Sequence, residues 1–120
     1  MIRMVKGKRF VDRWCYWSII VILTGCGGLP KTVGLLDLEN PDPAIRIRAI
    51  KWAGENKLTE AVPLLVDRLQ EQDVSVRFYA IMSLKRITGT DQGYDYKADA
   101  ASRSEAVARW RQTLKQKNYW

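Results

Sequence analysis

A chain of 120 residues has room for at most one small domain. It contains no histidine and two cysteines, Cys15 and Cys26, which argues against a zinc site and against histidine-based acid–base or nucleophilic catalysis. The net charge of +7 invites a nucleic-acid reading, but Arg3, Lys6, Lys8, Arg9 and Arg13 crowd the first residues against Asp12 alone. From Cys26 onward fifteen Lys and Arg face twelve Asp and Glu; such a split marks a targeting segment rather than a basic binding face.

The basic start leads into Trp14–Leu23, ten residues without a charge. A membrane-crossing helix needs roughly 20 apolar residues and a signal-peptide core roughly 7–15, so the run fits the second. It ends at Leu23-Thr24-Gly25-Cys26, which resembles the lipobox of bacterial lipoproteins: an aliphatic residue, two small ones and a cysteine. The resemblance implies that the Cys26 thiol receives a diacylglycerol. It also implies cleavage before Cys26 and acylation of the new amino group, palmitate being such an acyl chain, because several chains anchor stably where one is marginal. Gly27, a residue other than Asp after that cysteine, is by the same resemblance compatible with sorting to an outer membrane. The alternatives are an ordinary secretory signal or an uncleaved signal anchor; Trp14, Tyr16 and Trp17 are interfacial residues and keep the anchor open beside the lipoprotein reading. The expected layout is a signal peptide over 1–25, a Gly/Pro-containing tether over 26–32 and a helical domain over 33–120.

Val33 to Glu39 predicts a short helix, the stub of a preceding half-repeat. Asn40-Pro41-Asp42-Pro43 is a stop followed by a start, with Asp42 as N-cap and Pro43 at the first helical position. That helix is expected to reach Gly54, with Ile45, Ala49, Trp52 and Ala53 at helical spacing. Thr59 predicts the cap of a helix ending near Glu71. Its stripe is Val62, Leu65, Val66 and Leu69, and Pro63 lies in its first turn. Asp73 predicts the cap of a helix to Thr88 with Val76, Ala80, Leu84 and Ile87 inward and Gly89 as its C-terminal stop. Thr90 to Ala101 reads as a polar loop. Asp91, Asp95 and Asp99 recur every four residues, without the Glu an EF-hand calcium loop requires at its twelfth position. Ser102-Arg103-Ser104-Glu105 predicts a capping box for a last helix, 103–117, with Val107, Trp110 and Leu114 inward.

The segment beginning Asp42 returns thirty-one residues later, with Asp42/Asp73, Arg46/Arg77, Ala49/Ala80 and Ile50/Ile81 identical. A self-match at that period marks a repeat architecture. Leu38, Asp42, Ile45-Arg46, Ala49 and Ala53, followed by Val62-Pro63-Leu64-Leu65, Leu69, Asp73, Val76-Arg77, Ala80 and Leu84, resemble HEAT repeats. The expected fold is all-α: a short HEAT-like α-α superhelix of about one and a half repeats, plus a C-terminal capping helix, after an N-terminal signal segment.

The resemblance places the second helix of each pair on the concave side. It leaves Arg48, Lys51, Tyr79, Met82 and Arg86 as the partner-binding face. Arg46 and Arg77 read as structural, paired with Asp42 and Asp73 one helical turn earlier or with Glu71. In the family, an acidic residue just before the second helix often pairs with the arginine of the neighbouring repeat. Here those positions hold Asn40 and Glu71, so such a ladder is at best half formed. No catalytic residue, metal ligand, cofactor or small-molecule substrate is expected. The expected function is a lipid-anchored scaffold of the cell envelope that binds an unidentified protein, on the outer side of the cytoplasmic membrane or in the outer membrane. The alternatives are a permanent structural subunit of a larger envelope assembly, or a cytoplasmic nucleic-acid-binding helical repeat.

Overall fold

In the computed structural model the described residues are 33–119; the predicted signal segment, Cys26 and the tether lie outside them. Among the described residues there are four α-helices and no strand: α1 Pro43–Glu55, α2 Val62–Arg68, α3 Val74–Thr88 and α4 Ala100–Gln116. A 3-10 segment, Leu35–Glu39, precedes α1 and another, Thr59–Ala61, leads into α2. The all-α reading therefore holds for these residues. None of these helices is long and apolar enough to cross a membrane.

Three aspartates start the three longer helices. Asp42 accepts from the Ala44 N–H at 2.9 Å, and Asp73 from Ser75 at 2.8 Å and from Val76 at 3.4 Å. Each satisfies N–H groups that the first turn leaves without a carbonyl. The third cap is Asp99, not the expected Ser102. Asp99 accepts the Ser102 N–H at 3.3 Å and its hydroxyl at 2.5 Å, so Ser102 is spent as a donor inside the first turn. Ala100 and Ala101, both good helix formers, then extend α4 backward. The Ser102 side chain, and then its N–H, hold the Asp99 carboxyl below its ordinary pKa.

Thr59 does not cap α2. Pro63 has no N–H to return to the Thr59 carbonyl, so the entry tightens into the 3-10 turn and the α-helix starts at Val62. Leu69, Gln70 and Glu71 also bond three residues back, ending α2 at Arg68. At the other end of α3, Gly89 adopts φ +82° and donates to the Lys85 carbonyl at 2.9 Å, the expected left-handed stop.

The helices form two layers. α1 packs along α3; α2 packs against α3 and α4; the Leu35–Glu39 turn packs on α1. Leu65, Leu69, Leu84, Val107, Trp110 and Leu114 are among the fully buried side chains between them. Ala49, Ala53 and Ala80 are buried at the α1–α3 side, and Gly54 is a buried residue within α1 rather than part of a turn. A Cβ on Gly54 would sit 2.5 Å from Ser83 Oγ and 3.0 Å from Ser83 Cα. The Ser83 hydroxyl donates to the Ile50 carbonyl at 2.8 Å.

The inward stripe of α1 departs from expectation in three places. Ile50 is fully buried, whereas Trp52 is half-buried and so is Ile45, although its counterpart Val76 is fully buried. The element preceding α1 is a five-residue 3-10 turn, too short to cover Ile45 as α2 covers Val76. Leu36 on that turn is 89 % exposed.

The 89–99 loop folds back over α3 and the C-terminus of α2. Tyr94 is buried and its hydroxyl donates to the Leu69 carbonyl at 2.5 Å, closing the C-terminus of α2. Trp110 Nε1 donates to the Asp91 carbonyl at 3.2 Å.

Candidate functional site

The repeated arginines hold the stack from within. Arg46 donates through Nη1 to the Asn40 carbonyl at 2.7 Å and the Pro41 carbonyl at 2.9 Å. Arg77 makes the equivalent bonds to Glu71 and Gln72 at 2.7 and 2.6 Å. Neither is paired with the aspartate one turn earlier, because Asp42 and Asp73 are turned toward the helix N-termini as caps. The carboxylate partner of Arg46 is Glu71, 3.1 Å from Nη2, and Arg68 meets the other oxygen of Glu71 at 3.0 Å. At the next step Arg77 Nε donates to the Tyr96 carbonyl at 3.1 Å, where a continuing stack would offer another carboxylate. The half-formed ladder read from Asn40 and Glu71 thus has one ionic rung. These arginines are engaged with the chain itself and are not arranged to receive a ligand.

The acidic loop is also engaged locally. Asp91 accepts the Gly93 N–H at 2.9 Å and Asp95 the Lys97 N–H at 2.8 Å, each closing a tight turn through its own carboxylate. Among the described residues no group of three or more acidic, Cys or His side chains is placed to hold a metal ion.

The outer face of α1 and α3 is different. Lys51 and Glu55 from α1 meet Phe78, Tyr79, Met82, Ser83 and Arg86 from α3 around a shallow groove of ≈ 180 Å³. Lys51 Nζ lies 5.6 Å from the Tyr79 ring centroid, within cation–π range. Four of the five residues expected on the binding face, Lys51, Tyr79, Met82 and Arg86, are therefore brought together. Arg48 is exposed one turn earlier on α1 and does not line the groove. The expected register put Arg48 beside Tyr79; the residue over that ring is Lys51, one turn further along.

A second groove of ≈ 220 Å³ runs along the other side of α3, with Phe78, Ile81 and Met82 on one wall and Tyr94, Asp95 and Tyr96 on the other. Phe78 and Met82 belong to both grooves and form the ridge between them. Met82 is 48 % exposed. Phe78 packs edge-on against Tyr79 at 5.2 Å and against Tyr96 at 5.0 Å, and Lys97 Nζ stands 5.5 Å from the Tyr96 centroid. Burial pushes the Tyr94 hydroxyl above its ordinary pKa, with Arg77 and Arg103 opposing the shift.

Sequence reasoning missed Phe78, Glu55 and Tyr96. The available signal for Phe78 was its alignment with Ile47, an apolar residue at the margin of the outward set on the first copy. For Tyr96 there was none, since its place depends on how the loop folds back over α3.

A family model described as HEAT repeats matches residues 32–115. No curated protein and no solved structure matches the chain.

Proposed function

Because the chain belongs to the HEAT-repeat family over most of its length, we propose that it is a membrane-tethered protein-binding module of the cell envelope. HEAT repeats are helical scaffolds of a non-enzymatic type that generally mediate protein–protein interaction. The observation that carries the site is the convergence of Lys51, Tyr79, Met82 and Arg86 on one face of two packed helices. Aromatic residues, Met and Arg are enriched in protein interfaces and at their energetic centres. A rigid helical platform also presents them at little entropic cost on binding.

The tether is supported by the Leu23-Thr24-Gly25-Cys26 pattern after a basic start and a short apolar run. Cys26 carries the lipid, and the domain is held at the outer side of the membrane. Cys26→Ser then releases the protein from the membrane or leaves an unprocessed precursor. An intact mass retaining Met1 and lacking any acyl group would overturn the tether. For the binding face, crosslinking in membranes followed by identification of the captured proteins compares the natural chain with Lys51→Ala/Tyr79→Ala. Capture is lost in the double variant while circular dichroism is unchanged. Equal capture by both would remove this face as the site.

A second reading has its own observation. Leu36 stands 89 % exposed on the 3-10 turn before α1, and an exposed leucine of this kind suits a subunit docked permanently in a larger assembly. Under that reading Leu36→Asp, and not the Lys51/Tyr79 pair, abolishes capture.

A further inference from the structure

The α1/α3 face carries more than a general interface composition. Its apolar part is the ridge of Phe78 and Met82, with a groove on either side. Met is flexible and polarizable and adapts to an incoming apolar side chain. The charges beside the ridge are unequally distributed. On the α1 side the cations are Lys51 and Arg86, and the carboxylate lining that groove is Glu55. Among the described residues, ion pairs engage Arg46, Arg68, Lys85 and Arg111 but neither Lys51 nor Arg86. On the loop side the carboxylates Asp91 and Asp95 line the wall, with Lys85 3.8 Å from Asp91 and Lys97 over the Tyr96 ring. The face thus has an α1 edge with two cations against one carboxylate, an apolar centre and a loop edge whose charges balance.

We propose that this face receives an acidic peptide segment. An apolar side chain of the peptide seats on Phe78 and Met82, and its carboxylates meet Lys51 and Arg86. The proposal rests on the protein-binding reading above and adds the chemistry of the partner. The orientation follows from the same distribution: the excess of cations is on the α1 side and the loop side offers none, so the peptide lies with its acidic edge toward α1. Tyr79, under Lys51, gives the ammonium a fixed place from which to pair.

A phage-displayed random peptide library panned against the detergent-solubilised full chain tests this. Enriched peptides are expected to place two or more Asp or Glu around a single large apolar residue. A synthetic peptide of that pattern is expected to bind about 10-fold more weakly to Lys51→Glu/Arg86→Glu, and more weakly at high salt, because exposed charge pairs are screened. Both substituted residues are exposed, so the fold survives, as circular dichroism will check. Enriched peptides that are neutral or basic but still lost on Met82→Asp would overturn the acidic class and leave the protein-binding reading intact. Acidic peptides indifferent to the Lys51/Arg86 reversal bind elsewhere and overturn the proposal. So would the absence of any enriched peptide, or binding of phosphatidylglycerol vesicles through Lys51 and Arg86 in place of peptide.

Discussion

Tyr94 ties chemistry to stability at a single residue. Its hydroxyl reaches the Leu69 carbonyl at the end of α2, and burial holds the phenol protonated beyond its ordinary value of 10.0. A group whose folded pKa is raised contributes stability that is complete below the unfolded pKa. That contribution is lost as pH rises through the folded pKa. The melting temperature of the natural chain is therefore expected to fall above about pH 10, the ordinary tyrosine range, more steeply than that of Tyr94→Phe. At neutral pH the Phe variant is expected to be less stable by about 1–3 kcal/mol, the cost of leaving a buried carbonyl without its donor. Parallel slopes from pH 9 upward would show that Tyr94 does not govern the alkaline limit. The sequence put Tyr94 in a polar loop and could not supply its acceptor, twenty-five residues earlier. The arginine contacts were hidden in the same way: Glu71 was a named alternative for Arg46, yet the carbonyls that take up Arg77 carry no side-chain signal.

At the level of elements, the starts marked by Asp42 and Asp73 were legible because a capping aspartate acts on its own first turn. The starts of α2 and α4 were not. One depended on a missing proline N–H four residues beyond a carbonyl, the other on competition between Asp99 and Ser102 for the same turn. Gly54 is the sharper case. In an isolated helix, replacing an interior Gly by Ala stabilises by roughly 0.5–1 kcal/mol. In this protein the new Cβ meets Ser83 Oγ at 2.5 Å and backbone at 3.0 Å, so the helices must part. Gly54→Ala is expected to reverse the sign and cost about 1–3 kcal/mol, read as a lower denaturant midpoint. A raised midpoint would mean that α1 and α3 tolerate a wider spacing. The groove is hung on the same two helices. Lys51, Tyr79, Met82 and Arg86 were legible because the 31-residue register places them on one face. Tyr96 was not, since its place over Phe78 is set only once the loop returns over α3.

Across the whole molecule, a stack this short depends on how its ends are covered. α4 covers one end through Trp110, 1 % exposed and hydrogen-bonded to Asp91. Trp110→Ala is expected to cost about 3–5 kcal/mol, a large share of the ~5–15 kcal/mol typical of a domain. An unchanged melting temperature would remove α4 from the role of cap. The sequence supplied this helix and its inward face, because helical periodicity and an aromatic anchor are local signals. It did not show that Ile45 would be left half-covered, which depends on the 35–39 segment being a short 3-10 turn and not a helix of the length of α2.

The clamp at Glu71 bears on how such a chain can grow. The block 42–72 carries Arg46 near its head and Glu71 near its tail, and the two meet within the block. A duplicated block spliced after residue 72 brings its own rung, and its arginine finds the Glu71 and Gln72 carbonyls of the copy before it, as Arg77 does. The last rung differs: Arg77 ends on the Tyr96 carbonyl and asks for no further carboxylate. The molecule is in this sense punctuated, open to lengthening in its middle and closed by a full stop at Tyr96. A chain with one extra copy of 42–72 is expected to melt at a higher temperature, since each repeat adds a neighbour interface, while the same block appended after residue 117 does not follow the Glu71 and Gln72 carbonyls that take up the head arginine.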